Sequence, residues 1–575
     1  MRRRAALKIA GFSAIAAAIS RKLALAGTSA ASAQVEMAFN QAGYLANSEK
    51  IATMAVTDAA NAEFQIYSVG SKETVFHGRL GGTVADAASG DQVAFADFSG
   101  WTRPGTYRLV AQGKRSEPFL IDNDVYRDPL KISMRAFYGQ RCGCAVDLGG
   151  GYRHATCHGS GAYHATSGRK GAVANHGGWH DAGDYGRYIV NCGITCGTLL
   201  WAWELYPEVL RGLSLDIPES GGKTPDYLAE IRWNLEWMLS LQDEDGGVWH
   251  KQTSEQFCSF VMPEQDHLTS YIIGTGASPY KSTIATADLA VVAAIAARCY
   301  GAYDSAFASR CLAAARRGWS WTIDHPNIVF TNPPGIGTGG YDDKHCNDAI
   351  LWASAELWRT TGDAQYEKAF MNGAEVLPPE TVIKEPSWAD VAPMAYWAYA
   401  LAERKGSDAL RSRIVKQTIK VAETFITRRN LSGYGTTLAN ADYIWGSNSV
   451  AANQSLLLLM ANHFQPDRRA VEAALGNLHY LLGRNCFGVS WVTQIGTNPF
   501  QHPHHRPSGA DGIAAPWPGL LSGGPNARPG EPIGRALPKL PPMRMWMDDE
   551  RAYSLNEVAI NWNAPVVFLL AAASA

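Results

Sequence analysis

Between residues 128 and 573 the chain returns again and again to stretches of helical period that are apolar around most of their circumference, ADLAVVAAIAARCY (287–300) and SLLLLMAN (455–462) among them. A helix with one apolar stripe can lie on a surface, whereas one that is apolar all round must be covered on several sides. These segments therefore predict a large all-α domain in which some helices enclose others. Periodicity marks twelve candidates, near 128–145, 187–206, 225–242, 283–303, 305–323, 346–361, 364–375, 387–404, 407–428, 446–463, 467–483 and 552–573. The texture before them is different. From Val35 to about Asp124 the runs IATMAV, EFQIYSV, QVAFADF and GTYRLVA are β-rich and bounded by Gly, Asn, Asp and Pro, which fits a small β-sandwich. With 575 residues the chain has room for both.

The first residues form a third unit. Arg2 to Arg4 make a basic start, Ile9 to Ile19 a mildly apolar stretch, and Ala31-Ser32-Ala33 a small-residue cleavage site. Arg3-Arg4 with Leu7-Lys8, a weak Ala-rich core and Arg21-Lys22 beyond it resemble a twin-arginine signal over residues 1–33. The expectation is export to the periplasm or the extracellular space. The apolar run falls short of the roughly 20 residues of a membrane span, and no later segment reads as one. Charge adds an exclusion: 51 Lys and Arg against 53 Asp and Glu leave no bulk field for nucleic acid or an anionic membrane. The partner is expected to be neutral or locally recognised. The 18 Trp suit the CH faces of sugars, although many Trp in a large helical protein belong to the core.

Three stretches carry chemistry. GGWHDAGDYGRY (177–188) sets Asp181 and Asp184 among glycines and aromatics, just before the predicted helix from Tyr185 to Leu205. Asp184 could cap that helix, but one cap does not need two aspartates. WMDDERAYSLNEVAINWNAP carries Glu557 at the entry to an apolar final helix. Burial there would raise its pKa and keep it protonated, whereas a place in the first helical turn would lower it. SWVTQIGTNPFQHPHHRPS (490–508) gathers His502, His504, His505 and Arg506 in a long loop, from Gly488 to about Met547, that is rich in Pro, Gly and His. Upstream, Cys142, Cys144 and Cys157 crowd together with His154, His158, His164 and His176, which favours a metal over a disulfide framework.

In this order and spacing the three stretches resemble the signatures of glycoside hydrolase family 9, mostly cellulases. STIATADLA, LWASAELWRTTGDAQY, YIWGSNSVAANQSLLLL and LHYLLGRN add to the match, and FNQAGYLANSEK (39–50) resembles the start of the immunoglobulin-like module that precedes many of these catalytic domains. The resemblance implies an immunoglobulin-like sandwich over 34–124 and an (α/α)6 barrel over 125–575, six helices inside six. It implies an inverting endo-β-1,4-glucanase acting on cellulose or a soluble β-glucan. Asp184 would be the base that activates water, Asp181 would help hold that water, and Glu557 would be the acid. The two catalytic carboxyls would stand roughly 6.5–9.5 Å apart. His504 and Arg506 would contact the sugar, Asp548 would support the acid's loop and bind substrate, and Trp179, Trp445 and Trp517 are candidate sugar platforms.

The family also implies a structural zinc, for which Cys142, Cys157, His158 and His176 form a two-Cys, two-His set, with Cys144 as the rival of Cys142. Calcium is not assigned: where relatives carry Ser-Gly-x-x-Asp-Glu this chain has Lys344-His345-Cys346-Asn347-Asp348-Ala349, which leaves Asp348 and Asp390. No cellulose-binding module or linker is read after the catalytic domain, which favours soluble or amorphous chains, and a monomer is expected. The alternatives are an exo-acting relative (cellobiohydrolase-like or an exo-β-glucosaminidase), a catalytically silent glycan-binding protein, and a zinc hydrolase using the Cys/His cluster.

Overall fold

The structure, a computed structural model, describes residues 35–55, 62–342 and 344–575. The export segment read at 1–33 lies outside the described residues.

The N-terminal part is built from two sheets. Strands β1 (Met37–Ala38), β2 (Ile51–Ala55), β5 (Val84–Ala85) and β6 (Gln92–Asp97) form one sheet in the order β1-β2-β6-β5. In the other, β4 (Thr74–Arg79), β3 (Glu63–Ser68), β7 (Gly105–Ala111) and β8 (Lys114–Arg115) are adjacent in that order, with β9 (Phe119–Ile121) also on β7. Alternation explains the packing: Phe64 and Ile66 on β3, and Tyr107, Leu109 and Ala111 on β7, point inward against Ala52, Met54, Ala94 and Ala96 of the first sheet.

From Arg127 onward the chain is mainly helical. The long helices are α1 (Arg127–Gly139), α2 (Ile189–Leu205), α3 (Asp226–Ser240), α4 (Thr283–Tyr300), α5 (Ser305–Asp324), α6 (Asn347–Thr361), α7 (Ala364–Val376), α8 (Ala392–Leu401), α9 (Asp408–Leu431), α10 (Ser447–Phe464), α11 (Arg468–Leu481) and α12 (Ile560–Ala573). The helices that are apolar all round pack on one another: α2 on α4, α4 on α6, α6 on α8, then α10 on α12 and α12 back on α2. Amphipathic partners lie against them, α5 on α4, α7 on α6, α11 on α10 and α1 on α12, while α9 packs against both α8 and α10. Leu456, Leu457 and Leu458 are consecutive and all fully buried, which requires neighbours on every side of α10. Each such side chain stabilises the fold by about 1.5–3 kcal/mol. Gly197 of α2 lies so close to the Trp352 ring of α6 that any side chain there would collide with it.

Among the described residues, α4 alone is long and apolar enough to cross a membrane, which corrects the sequence reading, but it is buried in the helical core. A five-stranded sheet lies beside the helix ends: β10 (Ser160–Tyr163), β11 (Ala172–Ala174), β12 (Arg187–Tyr188), β13 (Lys251–Thr253) and β14 (Ser270–Ile273), in the order β11-β10-β14-β13-β12. The two-sheet part grips the long loops of the helical part. Gln41 Oε1 accepts from the amides of Thr497 and Asn498, and Arg544 forms a buried ion pair with Asp91 at 2.6 Å.

Candidate active site

The glycine-rich stretch 177–188 does not run straight into a helix. Strand β12 intervenes, pairing with β13, and α2 begins only at Ile189 with Tyr188 at its N-cap position and no side-chain cap bond. Asp184 is therefore not a cap. Its Oδ2 accepts from the Gly186 amide at 3.0 Å and from the Tyr188 hydroxyl at 3.3 Å. Asp181 is 2% exposed and accepts from the Asn191 amide nitrogen and the Tyr341 hydroxyl, each at 2.5 Å. The loop lies hard against the chain near His504: a Cβ at Gly183 would collide with the His504 carbonyl oxygen. The Arg506 amide donates to Gly183 O at 3.1 Å, and the Ile560 amide donates to Asp181 O at 2.9 Å. All three motifs thus meet through backbone contacts.

Glu557 is on extended backbone between a short turn, Tyr553–Asn556, and α12, so it is in neither the first turn nor the body of the final helix. It forms a bridge with His504, and its carbonyl accepts from the Gly523 amide at 2.7 Å. Burial, followed by the charges of Asp184 and Asp181, holds its carboxyl well above the ordinary value, against the opposing effects of Arg506 and Trp445. Burial and the charge of Asp184 likewise push Asp181 up to about 8. A carboxyl whose hold on its proton is strengthened by burial and by neighbouring carboxyls is equipped to donate that proton.

Asp181, Asp184 and Glu557 line one cleft of about 700 Å³. Trp445, Trp388, Trp562 and Phe257 supply its aromatic surfaces. Trp445 is 47% exposed, as a sugar platform must be. The other two platform candidates belong to the core. Trp179 is fully buried, its indole donating to Glu230 at 2.9 Å, and the buried Trp517 donates to Asp511 at 2.9 Å. His504, Arg506 and Asp548 are not part of the cleft wall. The buried Arg506 guanidinium donates to the Gly183 and Cys258 carbonyls, tying two loops together. His504 Nδ1 lies 2.6 Å from Glu550 O. Asp548 accepts from the amides of Gln501 and His502, both at 2.8 Å, which anchors the His-rich loop beside the segment bearing Glu557.

A second cluster lies just upstream. One ligand atom from each of Cys142, Cys157, His158 and His180 falls within 4.8 Å of the others. Cys142 Sγ is 3.7 Å from His158 Nδ1, and Cys157 Sγ is 3.8 Å from His180 Nε2. Sulfur and nitrogen around a tetrahedral zinc are about 3.5 Å apart, so both pairs fit such a site. Burial works against a Cys142 thiolate, yet Cys157, Arg187 and His180 together bring its pKa well below the ordinary value. Asp266 Oδ2 lies 3.3 Å from His158 Nε2, the carboxylate support usual for a metal-binding imidazole. His176 is replaced by His180 in this set. Positive φ at Gly177 and Gly178 turns the chain between them, leaving His176 exposed and His180 buried. Cys144 stays outside the cluster, and all ten cysteines are free. At the calcium candidates, Asp348 accepts from the Val391 amide at 2.9 Å, and Asp390 pairs with Lys384 at 2.9 Å.

Sequence reasoning missed Tyr341, which holds Asp181 from a left-handed backbone conformation, φ 45°, at a cost of about 1–3 kcal/mol. Its sequence context, GTGGYDD, pairs glycines with an aromatic and two acids much as GGWHDAGD does, and that likeness could have flagged it. Trp562 lies inside the motif that carries Glu557, five residues beyond it, whereas no comparable signal marks Trp388.

The family model described as Glycosyl hydrolase family 9 matches residues 126–570, and that described as Cellulase N-terminal ig-like domain matches residues 32–116. Endoglucanase D of Acetivibrio thermocellus is 36% identical over 540 residues, covering 92% of this chain and 82% of its own length. A crystal structure of a metagenome-derived glycoside hydrolase family 9 endoglucanase superposes with a TM-score of 0.86 at 35% identity, covering 94% of this chain and 98% of that one. A Zn-binding triple mutant of a family 9 endoglucanase superposes with a TM-score of 0.85 at 34% identity, covering 92% and 99%.

Proposed function

The chain belongs to glycosyl hydrolase family 9, and from that premise we propose that it is an inverting endo-β-1,4-glucanase acting on cellulose or related soluble β-glucans. The observation that carries this reading is the convergence of Asp181, Asp184 and Glu557 on one cleft, with the Glu557 carboxyl kept protonated. Asp184 takes a proton from water as that water attacks the anomeric carbon. Asp181, fixed by Tyr341 and Asn191, holds the water in place. Glu557 gives its proton to the leaving oxygen on the opposite side of the bond, and a single displacement inverts the anomeric centre. Trp445, with Trp388 and Trp562, offers flat faces to the sugar rings. His504, Arg506 and Asp548 support this arrangement by fixing the loops around it.

The helix packing described above supports an (α/α)6 double ring with α2, α4, α6, α8, α10 and α12 inside, preceded by an immunoglobulin-like module, with boundaries near residues 34 and 125. Cys142, Cys157, His158 and His180 would hold a structural Zn2+, closed off by four protein ligands and separate from the carboxylates. The signal-like residues 1–33 support export, and the near-zero net charge supports a neutral glycan rather than nucleic acid or an anionic membrane as the partner.

Product analysis on cello-oligosaccharides and mixed-linkage glucan, with the anomer recorded at early times, tests the reading. An initial α-anomer with rapid viscosity loss is expected. An initial β-anomer would overturn inversion, slow viscosity loss with short products would favour the exo-acting alternative, and binding without turnover would leave a glycan-binding protein.

A further inference from the structure

Lys251 is fully buried, and among the described residues its ammonium makes no ion pair. It donates instead to Gly339 O at 2.7 Å, Asn332 Oδ1 at 2.8 Å and Thr338 Oγ1 at 3.2 Å. His250, the residue immediately before β13, places Nε2 2.8 Å from Gly340 O and stacks on Phe330 with ring centres 3.8 Å apart. Two side chains adjacent in sequence, at the entry to one strand, therefore grip two consecutive carbonyls of a segment that has no ladder of its own. The next residue along that segment is Tyr341. A left-handed tyrosine persists only where its surroundings over-determine the backbone, and the carbonyls pinned by His250 and Lys251 are those leading into it. The same ammonium lies 5.6 Å above the Tyr188 ring, whose hydroxyl donates to Asp184.

We propose that Lys251 is a positioning residue for hydrolysis: by clamping the Thr338–Gly339 backbone, next to the Gly340 carbonyl held by His250, it fixes the Tyr341 hydroxyl on Asp181 and so aligns the water. This rests on the role given above to Asp181 and Asp184. Burial, only partly offset by the charges of Asp184 and Asp342, draws the ammonium down to about 7. Lys251 is not among the residues that line the cleft.

The test is steady-state kinetics on a soluble cello-oligosaccharide for the full chain carrying Lys251→Met, Tyr341→Phe and both. Lys251→Met is expected to lower kcat roughly 10- to 100-fold with KM within about twofold of the parent, because alignment rather than binding is lost. In the Tyr341→Phe background the same change is expected to cost less than about twofold, because the hydroxyl it positions is already gone. Multiplicative losses, or a loss carried by KM, would overturn the proposal. Should Lys251→Met fail to fold, Asn332→Ala removes one of the ammonium's acceptors and is read in the same cycle, with a smaller kcat loss that again vanishes in Tyr341→Phe. Asp184→Ala run alongside separates the two failures. If Asp184→Ala retains turnover, the catalytic reading falls and takes the proposal with it. If Asp184→Ala is inactive while Lys251→Met and Asn332→Ala match the parent, only the proposal falls.

Discussion

His180 and Asp181 share a peptide bond yet face two different clusters. On one side, His180 joins His158 and two thiols in a largely buried cluster whose ligand atoms all lie within 4.8 Å of one another. On the other, Asp181 joins Asp184 and Glu557 on the wall of a cleft of about 700 Å³, where carboxyls face open volume. Both clusters crowd ionisable groups, and both shift their pKa values. What separates them is where a ligand could come from. Four mutually facing donors leave room for one ion and no substrate, which is the arrangement of a structural metal. Carboxyls arranged around solvent-filled space leave room for a sugar chain and a water between them.

The widest gap between the clusters is expected in turnover. Asp184→Ala is expected to lower kcat by about 10²–10⁴-fold, the range of a lost general base, with metal content and melting temperature unchanged. Cys142→Ser is expected to do the reverse. Zinc measured by elemental analysis falls away and the melting temperature drops by on the order of 5 °C, while protein that remains folded keeps most of its activity. An Asp184→Ala protein that loses zinc, or a folded Cys142→Ser protein without turnover, would merge the two clusters into one machine.

The separation between them was only partly legible in the sequence. Helices apolar all round announce that they must be covered on several sides, and for ADLAVVAAIAARCY, which composition alone would also allow in a membrane, the packing of α4 places that cover inside the helical core. The DAGD carboxylates and Glu557 could be paired across the chain because each is embedded in a long distinctive motif. The assignments that failed turned on direction rather than identity. His176 and His180 are four residues apart, and the two positive-φ glycines between them decide which faces inward. Trp179 and Trp445 are chemically alike, and only packing against Phe137 and Glu230 makes the first a core residue. The Asp184 cap reading failed because β12 delays the helix to Ile189, a strand too short for its residues to announce. Tyr341 lay beyond every motif, since its role depends on a backbone conformation rather than on a neighbour in sequence.

The two clusters also oppose each other in pH. Glu557 keeps its proton in the fold after the unfolded chain, at its ordinary value of 4.5, has lost it. The folded state therefore binds more protons above that point, and this carboxyl makes stability fall as pH rises from 4.5 towards its folded pKa. A metal held by thiolates and neutral imidazoles does the opposite, because acid protonates its ligands and releases it. Glu557→Gln is thus expected to melt progressively above the parent as pH is raised from 4.5 towards the folded pKa of Glu557, with the gap closing at the acid end. In the zinc-loaded parent, metal release is expected on the acid side instead. Equal melting curves for Glu557→Gln and parent across that range would mean that the acid's proton is not held by the fold.

The smallest expected effect concerns the cleft wall. Trp445 is half exposed, packs on Tyr553 with ring centres 5.5 Å apart, and shares the cleft with Glu557, whereas Trp517 is enclosed between His154, His505 and Tyr152. An aromatic face covered by a sugar ring contributes on the order of 1 kcal/mol through the apolar area removed from water. Trp445→Ala is therefore expected to raise KM for cello-oligosaccharides roughly 2- to 12-fold with little change in melting temperature, and Trp445→Phe to recover most of that binding. Trp517→Ala is expected to lose stability by about 3–5 kcal/mol, as deletion of a buried ring does, with KM changed little in the protein that folds. A KM effect at Trp517 matching that at Trp445 would place both rings on the substrate path and contradict the burial that divides them.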